Sequence, residues 1–234
     1  MKRLVPLLLL LLVLSSCKKG GGDDNDCEVQ GSADCSIEMP IEDGGNSSGG
    51  SSTGGDSGGV VDPTDPPPTQ AFTFDVNILF VNTTSTQRAK FDKAIEMIKE
   101  LVASDEFKSM VLNHTYNGKK TYVDNGGYTN AQIYQKILDG AETLKPTKNN
   151  TMDMEVELYY ANNTTVGYTY ANSKRVWVNR KYFDTNSVSS VAANLVHEWL
   201  HKLGFTHSVS YNAARDYSVP YAIGRMVRTL GPKL

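Results

Sequence analysis

The first 71 residues contain no aromatic side chain, because all 7 Phe, 2 Trp and 12 Tyr residues lie at or beyond Phe72. Residues 17–70 are instead rich in Gly, Ser, Pro and Asp. Such a segment buries too little apolar area to offset the entropy that it loses on ordering. We therefore expect a disordered tether over residues 17–70 and one globular domain over residues 71–234, which is large enough to fold without disulfides.

A strong charge of one sign is also missing. The chain has 23 basic and 26 acidic residues, a net charge of −3. The tether has two lysines against eleven acidic residues, and the globular part is mildly basic, with nineteen basic against fifteen acidic residues. Because no dense stripe of Lys and Arg accompanies this positive charge, we expect no nucleic-acid partner.

No apolar run is longer than residues 4–14, which follow Lys2 and Arg3. Eleven helical residues rise about 16 Å, well short of the ~30 Å hydrocarbon core of a membrane. The run is therefore typical of a secretory signal rather than a permanent span. Small residues then precede Cys17, so the start of the chain resembles the signal of bacterial lipoproteins. The alternative is an ordinary cleavage site beside an incidental cysteine.

The lipoprotein resemblance implies that residues 1–16 are removed and that Cys17 is acylated. Each buried methylene of a fatty chain adds ~0.8 kcal/mol, so several chains would anchor the protein stably to a membrane. The Gly- and Asp-rich residues 20–24 look like the surface-export signals of some Gram-negative lipoproteins. We expect a protein of the cell envelope, at the outer membrane or the cell surface, with a periplasmic orientation as the alternative.

The globular part has the patterns of a mixed α/β domain. Alternating or apolar runs predict strands, and apolar residues at helical spacing predict helices. The strands are expected over residues 72–81, 154–160, 165–171 and 175–179, and the helices over residues 87–102 and 131–143. This order, followed by one last helix, favours an α/β (α+β) fold with helices on a twisted, mostly parallel sheet.

The chemistry is concentrated in the motif His197-Glu198-x-x-His201-x-x-Gly204-x-x-His207. On a helix, His197 and His201 lie one turn apart on one face, so both imidazoles can bind one Zn²⁺ ion. Glu198 lies about 100° round the helix and can face a metal-bound water without binding the metal. Gly204 is suited to end the helix in the left-handed conformation and return His207 as a third ligand. Three neutral ligands leave a fourth position for water, as in catalytic zinc sites.

The other side of this helix is apolar. We expect that side to pack on the sheet, with the histidines facing a cleft. Its residues are Val188, Val191, Ala192, Leu195, Trp199 and Leu203.

The motif is similar to that of the metzincin clan of zinc metallopeptidases. This resemblance implies a twisted sheet with an antiparallel edge strand, here residues 165–171, and a small irregular C-terminal subdomain. It also implies that an extended peptide pairs with the edge strand. Zinc-bound water would then attack the scissile carbonyl, with Glu198 as general base. We expect a monomeric endopeptidase that acts on peptides or proteins.

The chain departs from the clan at one point. Metzincins have a methionine-containing turn beneath the zinc, but Met226 is the only methionine after His207. Ser218-Val219-Pro220-Tyr221 looks like this turn, with Val219 in place of the methionine. In some members a tyrosine two residues later contacts the zinc or the transition state, so the resemblance implies that Tyr221 stabilises the oxyanion. A tyrosine that only packs is the alternative.

Cys27 and Cys35 both lie in the tether. In an exported protein we expect them to close a small disulfide loop. The alternative is that one thiolate caps the metal in a latent form. Two other functions stay open for the whole protein: a catalytically silent surface-binding lipoprotein of the same fold, and a zinc hydrolase of a non-peptide amide in the cell wall.

Overall fold

A computed structural model describes residues 72–234. The predicted signal peptide, the acylated Cys17, the tether over residues 17–70 and the fate of Cys27 and Cys35 lie outside the described residues. Within residues 72–234, every helix is too short or too polar to cross a membrane.

A four-stranded mixed sheet forms one layer of the domain. Three strands run parallel, and the fourth is an antiparallel edge strand. Every second residue of the long second strand is buried, which turns one face of the sheet toward the helices. The strands are β1 (Asp75–Val81), β2 (Thr151–Tyr159), β3 (Gly167–Thr169) and β4 (Arg175–Asn179), in the spatial order β1-β2-β4-β3. The predicted α/β class, the mostly parallel sheet and the edge strand are confirmed.

Five of the six α-helices described begin at a residue whose side chain accepts a hydrogen bond from a backbone N–H of the first turn. Thr84 and Thr129 each form a capping box with the glutamine three residues later. The predicted helix over residues 131–143 ends earlier, at Asp139, because Gly140 caps it in the left-handed conformation with a φ of 62°. Residues 72–234 contain α1 (Ser85–Ala103), α2 (Asp105–Asn113), α3 (Asn130–Asp139), α4 (Arg180–Phe183), α5 (Val188–Lys202) and α6 (Val219–Leu230).

Two expectations about the C-terminal part were wrong. The helix that carries the motif, α5, is not the last helix, and the region after it is not irregular throughout, because α6 adds 12 helical residues. Of the 15 residues of α5, 13 are buried. The physical reason is that α5 packs between α1 and α6. The apolar residues that α6 buries in the core are Val219, Ala222, Ile223, Met226, Val227 and Leu230.

Candidate metal centre

The end of α5 has the shape that the motif predicts. Gly204 has a left-handed φ of 93°. Its N–H donates to the His201 carbonyl at 3.1 Å, and the Phe205 N–H donates to the Leu200 carbonyl at 3.1 Å. These two bonds form a Schellman motif, which satisfies carbonyls at the helix end and reverses the chain. The reversal brings His207 back toward the helix.

The three predicted ligands converge. One ring nitrogen from each of His197, His201 and His207 lies within 4.8 Å of the other two, and all three residues are buried. The ring centroids are 4.9–5.1 Å apart. The Nε2 atoms of His197 and His207 are 3.2 Å apart. Two nitrogens bound to one tetrahedral ion at about 2.0–2.1 Å would be about 3.3 Å apart, so the spacing suits a zinc-sized ion.

Backbone carbonyls accept hydrogen bonds from the Nδ1 atoms of two of the imidazole rings. The His201 Nδ1 donates to the Phe205 carbonyl at 2.8 Å, and the His207 Nδ1 donates to the Ser208 carbonyl at 2.9 Å. A donor Nδ1 leaves Nε2 as the lone-pair nitrogen, which is the tautomer that a metal requires. The His201 Nε2 is buried and has no hydrogen-bond partner. A bound metal ion would satisfy this orphaned acceptor.

All three imidazoles are neutral near pH 7. Burial is the main cause: it lowers the pKa of His201 to about 3, that of His197 well below its usual value, and that of His207 in the same direction. Charge on a neighbouring ring of the triad lowers the pKa of His197 and His201 further. A metal ion therefore has no proton to displace from the ligands.

The predicted general base lies between α5 and the edge strand. Glu198 is fully buried. A Cβ atom at Gly167 of β3 would lie 3.2 Å from Glu198 Oε1 and 2.9 Å from Asn194 Oδ1. Only glycine therefore lets the strand pass this close to the carboxylate without displacing it. A glycine inside a strand pattern is a sign of such an approach, so this contact was open to sequence reasoning that missed it.

Lys202 ties the edge strand to the site helix. Its buried Nζ donates to the carbonyls of Tyr170, Ser173 and Arg175 at 3.3, 2.5 and 3.0 Å, and to the Thr169 hydroxyl. Burial lowers the pKa of Lys202 to about 8. Lys202 follows the predicted metal ligand His201 and holds the β3–β4 hairpin against α5. No local pattern in the sequence indicates this role.

The segment that was compared with the methionine turn is the start of α6. Ser218 is its N-cap residue, and Val219 is a fully buried core residue in its first turn. Tyr221 lies where the resemblance implied, beside the triad. Its ring centroid is 4.7 Å from that of His197 and 4.6 Å from that of His207. The Pro220 carbonyl accepts a hydrogen bond from the His197 ring.

Comparison of the chain with protein-family models, with curated proteins and with solved structures gives no match. Function must therefore be inferred from the side chains and their geometry. The donor set consists of three neutral imidazoles, and such a set suits several divalent transition metals, zinc among them.

Proposed function

We propose that this protein is a zinc-dependent, metzincin-like endopeptidase anchored to the bacterial cell envelope. The observation that carries the proposal is the convergence of three buried, neutral imidazoles, from His197, His201 and His207, within 4.8 Å. Structural zinc sites are usually closed by four protein ligands. Three ligands are the number expected of a hydrolytic site.

His197, His201 and His207 would hold the ion through their lone-pair nitrogens. When bound, zinc supplies Lewis-acid polarisation of a carbonyl and makes water more acidic. The carbonyls of Phe205, Ser208 and Pro220 orient the rings, so the ligands need little reorganisation when the ion enters.

Glu198 is the proposed general base. Its carboxylate accepts the proton of the attacking water and then delivers that proton to the leaving amine nitrogen. A base of this kind typically contributes about 10²–10⁴-fold to the rate. Tyr221 is proposed to donate its hydroxyl hydrogen to the oxyanion that forms on the scissile carbonyl.

The edge strand is the proposed binding site for the substrate backbone. Among the described residues β3 pairs with β4 alone, so its other edge can accept one more strand. Gly167 places this strand against Glu198, so an added peptide strand would run past the general base. Main-chain hydrogen bonds do not depend on the peptide sequence, which is consistent with cleavage inside a polypeptide.

The test uses the purified protein with and without a chelator. Zinc content is measured by elemental analysis, and cleavage of a mixed peptide library is followed by mass spectrometry, with Glu198→Gln as the matched control. We expect one zinc per chain and chelator-sensitive cleavage that the control lacks. Zinc without cleavage would favour the silent surface-binding protein, and cleavage of cell-wall fragments alone would favour the non-peptide hydrolase. Either result would overturn the proposal.

Membrane anchoring is tested separately. Cys17→Ala should move the protein from the membrane fraction to the soluble fraction, because the fatty chains would have no attachment site. Unchanged fractionation of this variant would contradict acylation at Cys17.

A further inference from the structure

Arg215 is a buried cation beside the histidine triad. It begins the short 3-10 helix Arg215–Tyr217, which lies between His207 and α6. The residue is only 5% exposed. Its guanidinium carbon lies 5.0 Å from the ring centroid of Tyr211 and 4.8 Å from that of Tyr221. Two aromatic rings therefore make cation–π contacts with the guanidinium group.

The guanidinium has no acidic partner within residues 72–234. No ion pair of Arg215 occurs there, and its Nε is buried without a hydrogen-bond acceptor. Arg175 on β4 shows the contrast, because its more exposed guanidinium pairs with Glu155 at 3.0 Å and Glu157 at 2.8 Å. Burying a cation without a counter-charge is costly, and such a group is usually paired.

The ring of Tyr221 links the unpaired cation to the histidine triad. The Tyr221 ring that Arg215 covers also contacts the rings of His197 and His207. Burial lowers the pKa of both histidines, and the Arg215 charge lowers them further. The guanidinium is therefore close enough for its field to act on two of the three ligands.

We propose that Arg215 is a specificity-determining residue that binds a carboxylate of the substrate beside the scissile bond. A planar guanidinium with five N–H donors matches a carboxylate, and the pair would supply the missing counter-charge. The carboxylate comes from an Asp or Glu side chain or from a free C-terminus of the peptide. This inference rests on the proposed peptidase function.

The kinetic test compares matched peptide substrates. For each position near the cleavage site, one pair of peptides has Glu in the acid member and Gln in the neutral member. In a further pair, the acid member has a free C-terminal carboxylate and the neutral member has a C-terminal amide. We expect wild-type kcat/KM to favour the acid over the neutral member of at least one pair by tenfold or more. Arg215→Gln should reduce that ratio at least tenfold, whereas Arg215→Lys should retain part of it. Arg175→Gln is the matched control and should leave the ratio unchanged.

Two results would overturn the inference. One is a wild-type enzyme with no preference for either acid. The other is an Arg215→Gln variant that is folded by its melting temperature and slows both members of a pair equally, since Arg215 would then only support Tyr221.

A binding test separates this inference from the proposed function. The probes are N-acetyl-Glu-N-methylamide with its Gln counterpart, and N-acetyl-Ala with its N-methylamide, each titrated into zinc-free protein and followed by ligand-observed NMR. We expect an acid probe to bind at least tenfold more weakly to Arg215→Gln than to the wild type. If an acid probe binds in this Arg215-dependent way but no peptide is hydrolysed, only the peptidase proposal is contradicted. If an acid probe binds equally well to the wild type and to Arg215→Gln, the carboxylate site is contradicted.

Discussion

His114 and the triad show how little a single buried histidine reveals. His114 stacks on Tyr122 with ring centroids 4.1 Å apart, and burial lowers its pKa, as it does for the triad. The His114 Nε2 is buried without a partner, like that of His201. The difference is convergence, because the nitrogens of the triad meet within 4.8 Å and no such group includes His114 among the described residues. Burial and low basicity therefore accompany a metal site without defining it.

Removing one member of the triad should have the largest effect. We expect His201→Ala to weaken zinc binding by more than the ~10–100-fold that losing a hydrogen-bond partner behind a ligand costs, and to abolish cleavage. His114→Gln should keep both zinc and cleavage. Competition titration with a chromogenic chelator measures the affinities. Equal zinc affinity in the two variants would show that the triad binds zinc no better than the surroundings of His114, and would contradict the metal site.

Removing the general base should separate metal binding from catalysis. Glu198→Gln retains the shape of the side chain but cannot take a proton at neutral pH. We expect full zinc content and a loss of kcat of about 10²–10⁴-fold. Elemental analysis and single-turnover cleavage check the two parts. Undiminished cleavage would contradict the role assigned to Glu198.

A tyrosine lies beside the triad, Tyr221, and another beside His114, Tyr122. Only the loss of the Tyr221 hydroxyl should lower the rate of cleavage. Tyr221→Phe removes a proposed oxyanion donor, so we expect kcat to fall about 10²–10³-fold with little change in KM. Tyr122→Phe removes the hydrogen bond to the Val111 carbonyl at 3.0 Å. It should cost about 1 kcal/mol of stability and leave kcat unchanged. Steady-state kinetics and urea denaturation make the comparison, and equal kcat values in the two variants would assign Tyr221 to packing.

The pH dependence of stability should sharpen the comparison further. A histidine whose folded pKa lies below its unfolded value of 6.5 binds fewer protons in the folded state. Its stabilising effect is therefore complete above pH 6.5 and is lost as the pH falls toward the folded pKa, which is about 3 for His201. We expect the stability of the zinc-free protein to decline between pH 6.5 and pH 4. The decline should be shallower in His201→Ala, and urea denaturation at several pH values tests this.

Local patterns predicted the elements whose residues repeat regularly. Phe91, Ile95 and Ile98 identify α1, and the alternation around Met154 and Val156 identifies β2. By contrast, α2 and α6 were missed, and α2 buries only Phe107 and Val111, too few residues to form a periodic apolar pattern. The start of α6 was interpreted as a turn because a family motif was expected there.

Two members of the candidate ligand set, His197 and His201, follow from spacing alone, since i, i+4 positions on a helix share a face whatever surrounds them. Gly204 adds the chain reversal by its backbone conformation, which is also a local property. The rest of the site comes from contacts between distant segments. Arg215 over Tyr221, Lys202 in the β3–β4 hairpin and Gly167 against Glu198 exist only because the sheet edge and α6 pack against α5, and no repeat within a short window encodes such packing.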